Sequence, residues 1–162
     1  MGHLNIMSGH LINYKELLSY DPITGQFTWK VTRSPTAKAG GRAGTVNNAG
    51  YRKIKFGKFS VLEHRLAFYF MENKWPSDKV DHKNRDRADN RWENLRECNN
   101  HQNQLNTAPR GKSGFKGVYW QKCGYAVHGH LNEYLCFTKD FDRACEISKE
   151  HRLKYGGEFV SL

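Results

Sequence analysis

Short runs of alternating apolar and polar residues dominate the first 60 positions, and each run predicts a small element. Residues Tyr14–Leu18 have the composition of a short helix. The sequence Asp21–Gly25 (DPITG) predicts a turn, because Pro fixes one backbone angle and Gly permits the left-handed one. The alternation in Gln26–Val31, which puts Phe27 and Trp29 on one face, predicts a strand.

A Gly-rich loop, a second pair of strands and a helix are predicted next. Residues 34–44 are small, Gly- and Pro-rich and predict a loop, whereas Gly50–Phe59 (GYRKIKFGKF) predicts two short strands around Gly57 with one basic face. Apolar residues recur at helical spacing in Glu63–Met71, and Trp75-Pro76 ends that pattern.

The last third of the chain has the pattern of a small sheet followed by one helix. Thr107–Ser113 (TAPRGKS) has the composition of a linker. Three short strands and an amphipathic helix follow, and the helix ends at Gly156-Gly157, as glycine at a C-terminus predicts. The predicted elements are Phe115–Trp120, Tyr125–Leu131, Tyr134–Phe137 and the helix Asp142–Tyr155.

These patterns predict an α+β protein of small modules. Hydrophobic residues make up 38% of the chain, which is low for a protein with one large core. The predicted division is a β-rich region over residues 1–60, a central region over 61–108, and a three-stranded antiparallel sheet with one helix over 109–162.

Positive charge is unevenly distributed along the chain. The sequence has 26 Lys+Arg and 16 Asp+Glu, which gives a formal net charge of +10. Residues 1–76 carry +7, residues 77–109 are neutral, and residues 110–162 carry +3. Basic flanks around a neutral centre favour double-stranded DNA as the partner, although a basic soluble protein without that role has the same charge.

The sequence argues against several other classes of protein. It has no apolar run long enough to span a membrane and no secretory segment, so we expect a cytoplasmic protein. The four cysteines form no C-x-x-C pair, which gives a thiolate zinc site little support and favours reduced thiols. No feature points to an obligate protein partner, and a monomer is favoured.

Residues 80–106 (VDHKNRDRADNRWENLRECNNHQNQLN) contain the side chains that phosphodiester hydrolysis requires. Asp81 offers a hard oxygen suited to Mg²⁺ or Mn²⁺, and His82 has the intrinsic pKa of a general base. Asn103, on a predicted helix, could offer the metal a second oxygen, and Asn94 could accept a hydrogen bond from His82. Singly, each of these residues is more often a turn or surface residue.

This run resembles the HNH, or ββα-metal, nuclease motif, and it is similar to phage homing endonucleases in which the last motif residue is Asn. The segments HRLA (64–67), WP (75–76), DNR (89–91) and ENLR (93–96) also fit that pattern. The resemblance implies that Asp81 and Asn103 bind Mg²⁺, that His82 activates water, and that Asn94 orients His82. His101 is the substitute ligand for Asn103, and His64 is expected to be structural.

Residues 113–157 resemble the DNA-binding domain of plant ethylene-response factors (the APETALA/ERF type). The similarity lies in SGFKGVYW (113–120), in YAV (125–127), in Tyr134-Leu135 followed by Phe137, and in the final helix, whereas Tyr125 and Cys136 depart from the family. The resemblance implies a sheet that lies in the major groove. The candidate DNA contacts are Lys116, Tyr119, Trp120, Lys122, His128 and His130.

The basic residues of the N-terminal region form a third candidate DNA surface. They lie on predicted strands and a Gly-rich loop, and phosphate contact is favoured over a merely solvated face. They are Arg33, Lys38, Arg42, Arg52, Lys53, Lys55 and Lys58.

Three functions compete on these observations. The first is a metal-dependent DNA endonuclease of the homing type, which nicks DNA or cuts both strands at specific sites. The second is a DNA-binding regulator that retains the motif as a scaffold, and the third is a structural metal-binding protein. The joint presence of Asp81, His82, Asn94 and Asn103 favours the first over the second, and the missing Cys pairs disfavour the third.

Overall fold

A computed structural model describes residues 6–7, 10–109 and 111–160 and divides the chain into two compact units. The first unit ends at Cys98 and the second begins at Asn99. Each unit mixes helices with small antiparallel sheets, so the α+β class predicted from the sequence is confirmed. Among the described residues, no helix has both the length and the apolar character needed to cross a membrane.

The first unit consists of short strands paired in antiparallel sheets and two helices. The elements in chain order are β1 (Ile6–Met7), β2 (His10–Leu11), α1 (Tyr14–Leu17), β3 (Leu18–Asp21), β4 (Gln26–Trp29), β5 (Thr45–Val46), β6 (Arg52–Phe56), β7 (Phe59–Leu62), α2 (Glu63–Glu72), β8 (Lys79–His82) and β9 (Leu95–Cys98). The strands pair as the sheets β1-β2, β3-β4, β5-β6-β7 and β8-β9.

The predicted turn over residues 21–25 joins β3 to β4. Asp21 Oδ1 accepts a hydrogen bond from the Ile23 amide, and Gly25 adopts φ +69°, a conformation that side chains disfavour. A methyl group on Gly25 would also overlap the backbone of Asn90 and Arg91. The turn is therefore packed directly against the loop that follows β8.

One hydrophobic core connects the N-terminal strands with the central segment. Leu18, Phe27 and Ile54 are fully buried, and they belong to the same cluster as Leu66 on α2 and Leu95 on β9. Residues on both sides of position 60 thus share one core. The two compact units divide at residues 98–99, and the three-part division indicated by the sequence patterns stays a prediction.

The second unit contains α3 (Asn100–Leu105), β10 (Val118–Gln121), β11 (Gly124–His128), β12 (Tyr134–Thr138) and α4 (Phe141–Gly156). The three strands form an antiparallel sheet in the order β10-β11-β12. Val118 and Val127 pack with Ala144 of α4 to form a separate small core. Asn99 caps α3, since its side chain accepts a hydrogen bond from the Gln102 amide.

All four cysteines are free thiols in the structure, as the sequence predicted. Cys98 is buried on β9, and burial raises the pKa of its thiol to about 11. Within the described part of the chain, no cluster of three or more His, Cys, Asp or Glu side chains is arranged to hold a metal ion.

Candidate active site

The β8-β9 hairpin places Asp81 and His82 in the interior of the first unit. In the antiparallel register, Asp81 lies opposite Arg96 and His82 lies opposite Leu95. Asp81 is only 6% exposed and His82 only 4%. Since neighbouring side chains of a strand point to opposite faces, the two residues have different partners.

Asp81 forms an ion pair with its cross-strand neighbour. The Nη2 and Nε atoms of Arg96 donate to Asp81 Oδ2 at 2.8 and 3.0 Å. Both side chains are largely buried, so a guanidinium balances the carboxylate charge where water cannot. The ion pair therefore fixes the orientation of the carboxylate.

The His82 ring lies among polar and aromatic groups. Its Nε2 atom is 3.1 Å from Oδ1 of Asn90. The ring of His64 packs edge-on against it at 5.1 Å between centroids, and that of Tyr51 lies at 5.9 Å. Burial lowers the pKa of His82, whereas the hydrogen bond to Asn90 and the charge of Asp81 oppose that shift.

Asn94 braces the loop between the two strands of the hairpin. Its Oδ1 accepts a hydrogen bond from the Asn84 amide at 2.9 Å, and its Nδ2 donates to the Asp89 carbonyl at 2.8 Å. The sequence predicted that Asn94 contacts His82, whereas the side-chain amide next to the imidazole is that of Asn90. Asn94 thus shapes the loop that carries Asn90.

A chain of polar side chains leads from Asn90 back to β6. Asn90 Nδ2 donates to Glu63 Oε2 at 3.1 Å, and Glu63 forms an ion pair with Arg52 Nε at 3.0 Å. Glu63 is fully buried at the start of α2, and Asn90 is 1% exposed. Burial raises the pKa of Glu63, and the neighbouring Arg52 guanidinium opposes that shift.

Sequence reasoning assigned Arg52 to DNA binding and gave Glu63 and Asn90 no role in the site. On β6, Arg52 has the same parity as the buried Ile54 and Phe56, so the side chain points inward. Its Nη2 also donates to the carbonyls of Ala43 and Gly44. Two patterns in the sequence could have predicted these positions. Alternation along β6 places Arg52 on the buried face, and helical spacing places Glu63 on the apolar face of α2.

Asp86 and Asp89 stabilise the loop after β8, and His64 is buried in keeping with its expected structural role. Asp89 forms an ion pair with Arg91, and Asp86 Oδ1 accepts a hydrogen bond from the Ala88 amide. Arg91 also lowers the pKa of Asp89 to about 2. His64 is buried on α2, where it holds that helix against His82.

Most of the predicted N-terminal cations line or flank one groove in the first unit. Arg33, Arg42, Lys53 and Lys55 line an open groove of about 440 Å³, and the Arg33 guanidinium lies over the rings of Trp29 and Phe56. Its lining residues, all within the described ranges, include no Asp or Glu. Lys38 and Lys58 are exposed elsewhere on this unit.

In the second unit the predicted DNA residues have mixed environments. Tyr119 and Trp120 on β10 are 41% and 57% exposed, and Lys122 is exposed in the following turn. His128 packs edge-on against Tyr119 at 5.2 Å, and His130 stacks on Tyr155 of α4 at 6.4 Å.

Lys116, also predicted to contact DNA, has its ammonium group within the second unit. Its Nζ donates to the carbonyls of Gln104 and Thr107, at the C-terminal end of α3. A cation at that end also meets the negative pole of the helix dipole. The ammonium of Lys116 is therefore engaged within the protein.

The two predicted metal ligands belong to different units. Asp81 lies in the first unit and Asn103, on α3, in the second. Asn103 is half-buried, and its backbone amide donates to the Asn99 carbonyl. The side chain of His101, the substitute ligand, lies outside the described part of the structure.

Comparison with known proteins identifies the central segment. The model of the HNH endonuclease family matches residues 61–105, which is less than half of the chain. The match includes α2, β8, β9 and α3, and therefore Glu63, Asp81, His82 and Asn94. It supports an HNH nuclease domain that acts on DNA. Searches of curated proteins and of solved structures found no match.

The burial of His64 predicts a stability that depends on pH. Burial lowers the pKa of His64 to about 3 from 6.5. Because the unfolded chain binds this proton more readily than the folded chain, stability is complete above pH 6.5 and is lost as the pH falls toward 3. The expected loss is about 1.4 kcal/mol per pH unit, or roughly 2 kcal/mol between pH 6.5 and pH 5.

Urea unfolding of the wild type and of His64→Phe at pH 7 and pH 5 measures this loss. Trp29, Trp75 and Trp92 report on the first unit by fluorescence. The difference between the two pH values should shrink in the variant by most of the predicted amount. Equal pH dependence in both proteins would show that His64 is not buried as the neutral base.

Proposed function

We propose that this protein is a metal-dependent DNA endonuclease that hydrolyses phosphodiester bonds, with His82 as its general base. The single observation that carries the proposal is the buried Asp81-His82 pair on β8, within the segment that matches the HNH endonuclease family. The motif order Asp81, His82, Asn94, Asn103 further supports, by resemblance, site-specific cleavage of the homing type.

His82 has the features of a general base for water. The lowered pKa keeps the ring neutral at neutral pH, so it can accept a proton. The oxygen of the attacking water forms the new bond to phosphorus as its proton passes to the imidazole. The bond from phosphorus to the leaving oxygen then breaks, and the leaving oxygen takes a proton from solvent.

Asp81 fits the role of ligand to a hard divalent cation such as Mg²⁺ or Mn²⁺. Its carboxylate is buried and oriented by its ion pair with Arg96. Such cations favour one or two carboxylates, with water and phosphate oxygens completing the shell. The bound cation would stabilise charge on the phosphate and on the leaving oxygen. The role of Asn103 stays a prediction from the resemblance.

The groove lined by Arg33, Arg42, Lys53 and Lys55 fits the DNA backbone. Four cations in a groove whose lining residues include no Asp or Glu attract phosphates, and phosphate recognition carries no sequence information. Lys38 and Lys58 add charge to the same unit. Arg52 is excluded from this role by its ion pair with Glu63.

For the second unit we propose DNA binding through the sheet surface around Tyr119. Tyr119 is paired in register with Ala126, and Ala126 is paired with Phe137, so the three residues share one face. The Tyr119 ring contacts His128. Tyr119 and Phe137 are both more than 40% exposed. Exposed rings with Lys122 nearby suit packing against sugars and bases. This proposal rests on the ERF-type resemblance and on that exposure.

Relaxation of supercoiled plasmid, with phage DNA tested alongside, is the direct test of hydrolysis. We expect the wild type to nick DNA with Mg²⁺ and not with EDTA. His82→Ala and Asp81→Ala should each lower the rate at least 100-fold, because they remove the base and the metal carboxylate. Glu72→Gln, on the exposed end of α2, is the matched control and should cut at the wild-type rate.

The same assay distinguishes the enzyme from its principal alternative. Salt-sensitive DNA binding by a wild type that cuts neither plasmid nor phage DNA would favour a non-catalytic DNA-binding regulator. Full activity in folded His82→Ala would contradict the role of His82 while leaving a nuclease in place.

The groove proposal predicts a change in the salt dependence of DNA binding. Replacing Lys53 and Lys55 together by Gln should weaken binding at low salt. It should also reduce the slope of log affinity against log salt by about one for each phosphate that the variant no longer neutralises. Lys74→Gln, at an exposed position beyond α2, is the control and should keep the wild-type slope. An unchanged slope in the double variant would rule out phosphate binding by this groove.

A further inference from the structure

We propose that Arg52, Glu63 and Asn90 form a hydrogen-bonded chain that fixes the tautomer and orientation of His82. The chain selects Nδ1 of His82 as the atom that takes the proton from water. This inference rests on the proposed nuclease function and adds to it three positioning residues and the identity of the basic atom.

The chain begins with a group that can only donate. Arg52 Nε lies 3.0 Å from Oε2 and 3.2 Å from Oε1 of Glu63, and a guanidinium has no acceptor. Arg52 Nη2 is held in turn by the Gly44 carbonyl at 3.0 Å. Glu63 therefore faces Arg52 as an ionised acceptor, which is the favourable state for a fully buried carboxylate beside a cation.

The acceptor character of Glu63 determines how the Asn90 amide is turned. Glu63 Oε2 lies 3.1 Å from one terminal atom of that amide, and only the NH₂ group can donate to a carboxylate. The other terminal atom, which faces His82, must then be the carbonyl oxygen. Hydrogen-bond chemistry thus assigns an amide orientation that geometry alone leaves ambiguous.

The Asn90 carbonyl in turn determines which ring nitrogen of His82 carries hydrogen. Because a carbonyl oxygen only accepts, the Nε2 atom at 3.1 Å must be an N–H donor. A neutral imidazole has one N–H, so the lone pair resides on Nδ1. The donor character of Arg52 thus determines, through Glu63 and Asn90, which nitrogen of His82 carries hydrogen.

Independent contacts hold Asn90 at this position. The Tyr20 hydroxyl donates to the Asn90 carbonyl oxygen of the backbone at 2.7 Å, and the Trp92 amide donates to the Pro22 carbonyl at 3.0 Å. The close approach of Gly25 to the Asn90 backbone completes the clamp. With Asn90 and Glu63 both buried, water does not substitute for either partner.

The first test variant, Glu63→Leu, removes the oxygen that accepts from the Asn90 amide. Either terminal atom of that amide can then face His82, so the ring loses its single tautomer and its fixed orientation. We expect kcat for DNA cleavage to fall on the order of 10- to 100-fold, as removal of such orienting partners does, with KM unchanged.

The second variant, Glu63→Gln, keeps the polarity of the chain and separates positioning from stability. Glu63 Oε2 accepts from both Arg52 Nε and Asn90 Nδ2, and the carbonyl oxygen of the new amide can take its place. Glu63→Gln loses the ion pair with Arg52 but should keep most of the wild-type kcat. Glu72→Gln repeats this chemical change on the exposed part of α2 and should behave as wild type.

Nitrogen NMR of the His82 ring at pH 7.5 reads the tautomer directly and needs no cleavage. Ring signals are assigned by their absence in His82→Gln, and circular dichroism checks folding. We expect hydrogen on Nε2 alone in the wild type and in Glu63→Gln, and a mixture of the two tautomers in Glu63→Leu. Hydrogen on Nδ1 in the wild type, or an unchanged single tautomer in folded Glu63→Leu, would overturn the inference.

The two readouts keep this inference distinct from the proposed function. If the wild type cuts no DNA but the tautomers change as expected, the nuclease proposal fails and the hydrogen-bonded chain stands. If the wild type cuts DNA and folded Glu63→Leu cuts equally fast, the chain has no positioning role. Should Glu63→Leu not fold, the tautomer of the wild type still decides.

Discussion

The buried carboxylate of Glu63 is the constraint on which the polar interior of the first unit depends. It lies at the first turn of α2 with no exposure to solvent, and a buried charge is costly unless partners satisfy it. β6 supplies the cation Arg52, and the loop after β8 supplies the Asn90 amide. Gly44 leaves the space, since a methyl group at that position would overlap the Glu63 carboxylate.

Satisfying Glu63 brings three parts of the chain to the Asp81-His82 pair. The N-terminal turn at Gly25 clamps the loop of Asn90, Asn94 shapes that loop, and Asn90 orients His82. The N-terminal strands are therefore more than a platform for DNA in this account. They are part of the framework that positions His82. In agreement with this, residues on both sides of position 60 share one core.

Local patterns in the sequence were sufficient to predict elements such as β4 and α2 and to recognise the motif around Asp81 and His82. The alternation in 26–31 and the helical spacing in 63–71 correspond to β4 and α2, and the Asp-His pair lies on a strand of the matched family segment. These predictions succeeded because they depend on residues close together in sequence. The α+β class followed from the same local periodicities.

Contacts between distant residues were beyond that reasoning. Asn90 and Asn94 are both loop amides next to the same strand, and only the path of the loop determines which one meets His82. Lys116 looked like a DNA contact, but the carbonyls at the end of α3 engage its ammonium. The inward position of Arg52, by contrast, could have been predicted, because it lies two residues before Ile54 on the same strand and so shares its buried face.

The central claim is that Glu63 serves the site rather than the stability of the fold. Replacing the buried Arg52-Glu63 ion pair by an apolar pair tests this claim most directly. Arg52→Met and Glu63→Leu should each lose about 3–5 kcal/mol of unfolding free energy, because each leaves a buried charge unpaired. The two together should regain most of that stability, apart from about 1–3 kcal/mol for the unpaired Asn90 amide.

The decisive measurement is the single-turnover rate of DNA cleavage by the folded double variant. The account predicts a rate well below that of the wild type, since no acceptor then determines which end of the Asn90 amide faces His82. Wild-type cleavage by a folded double variant would contradict it.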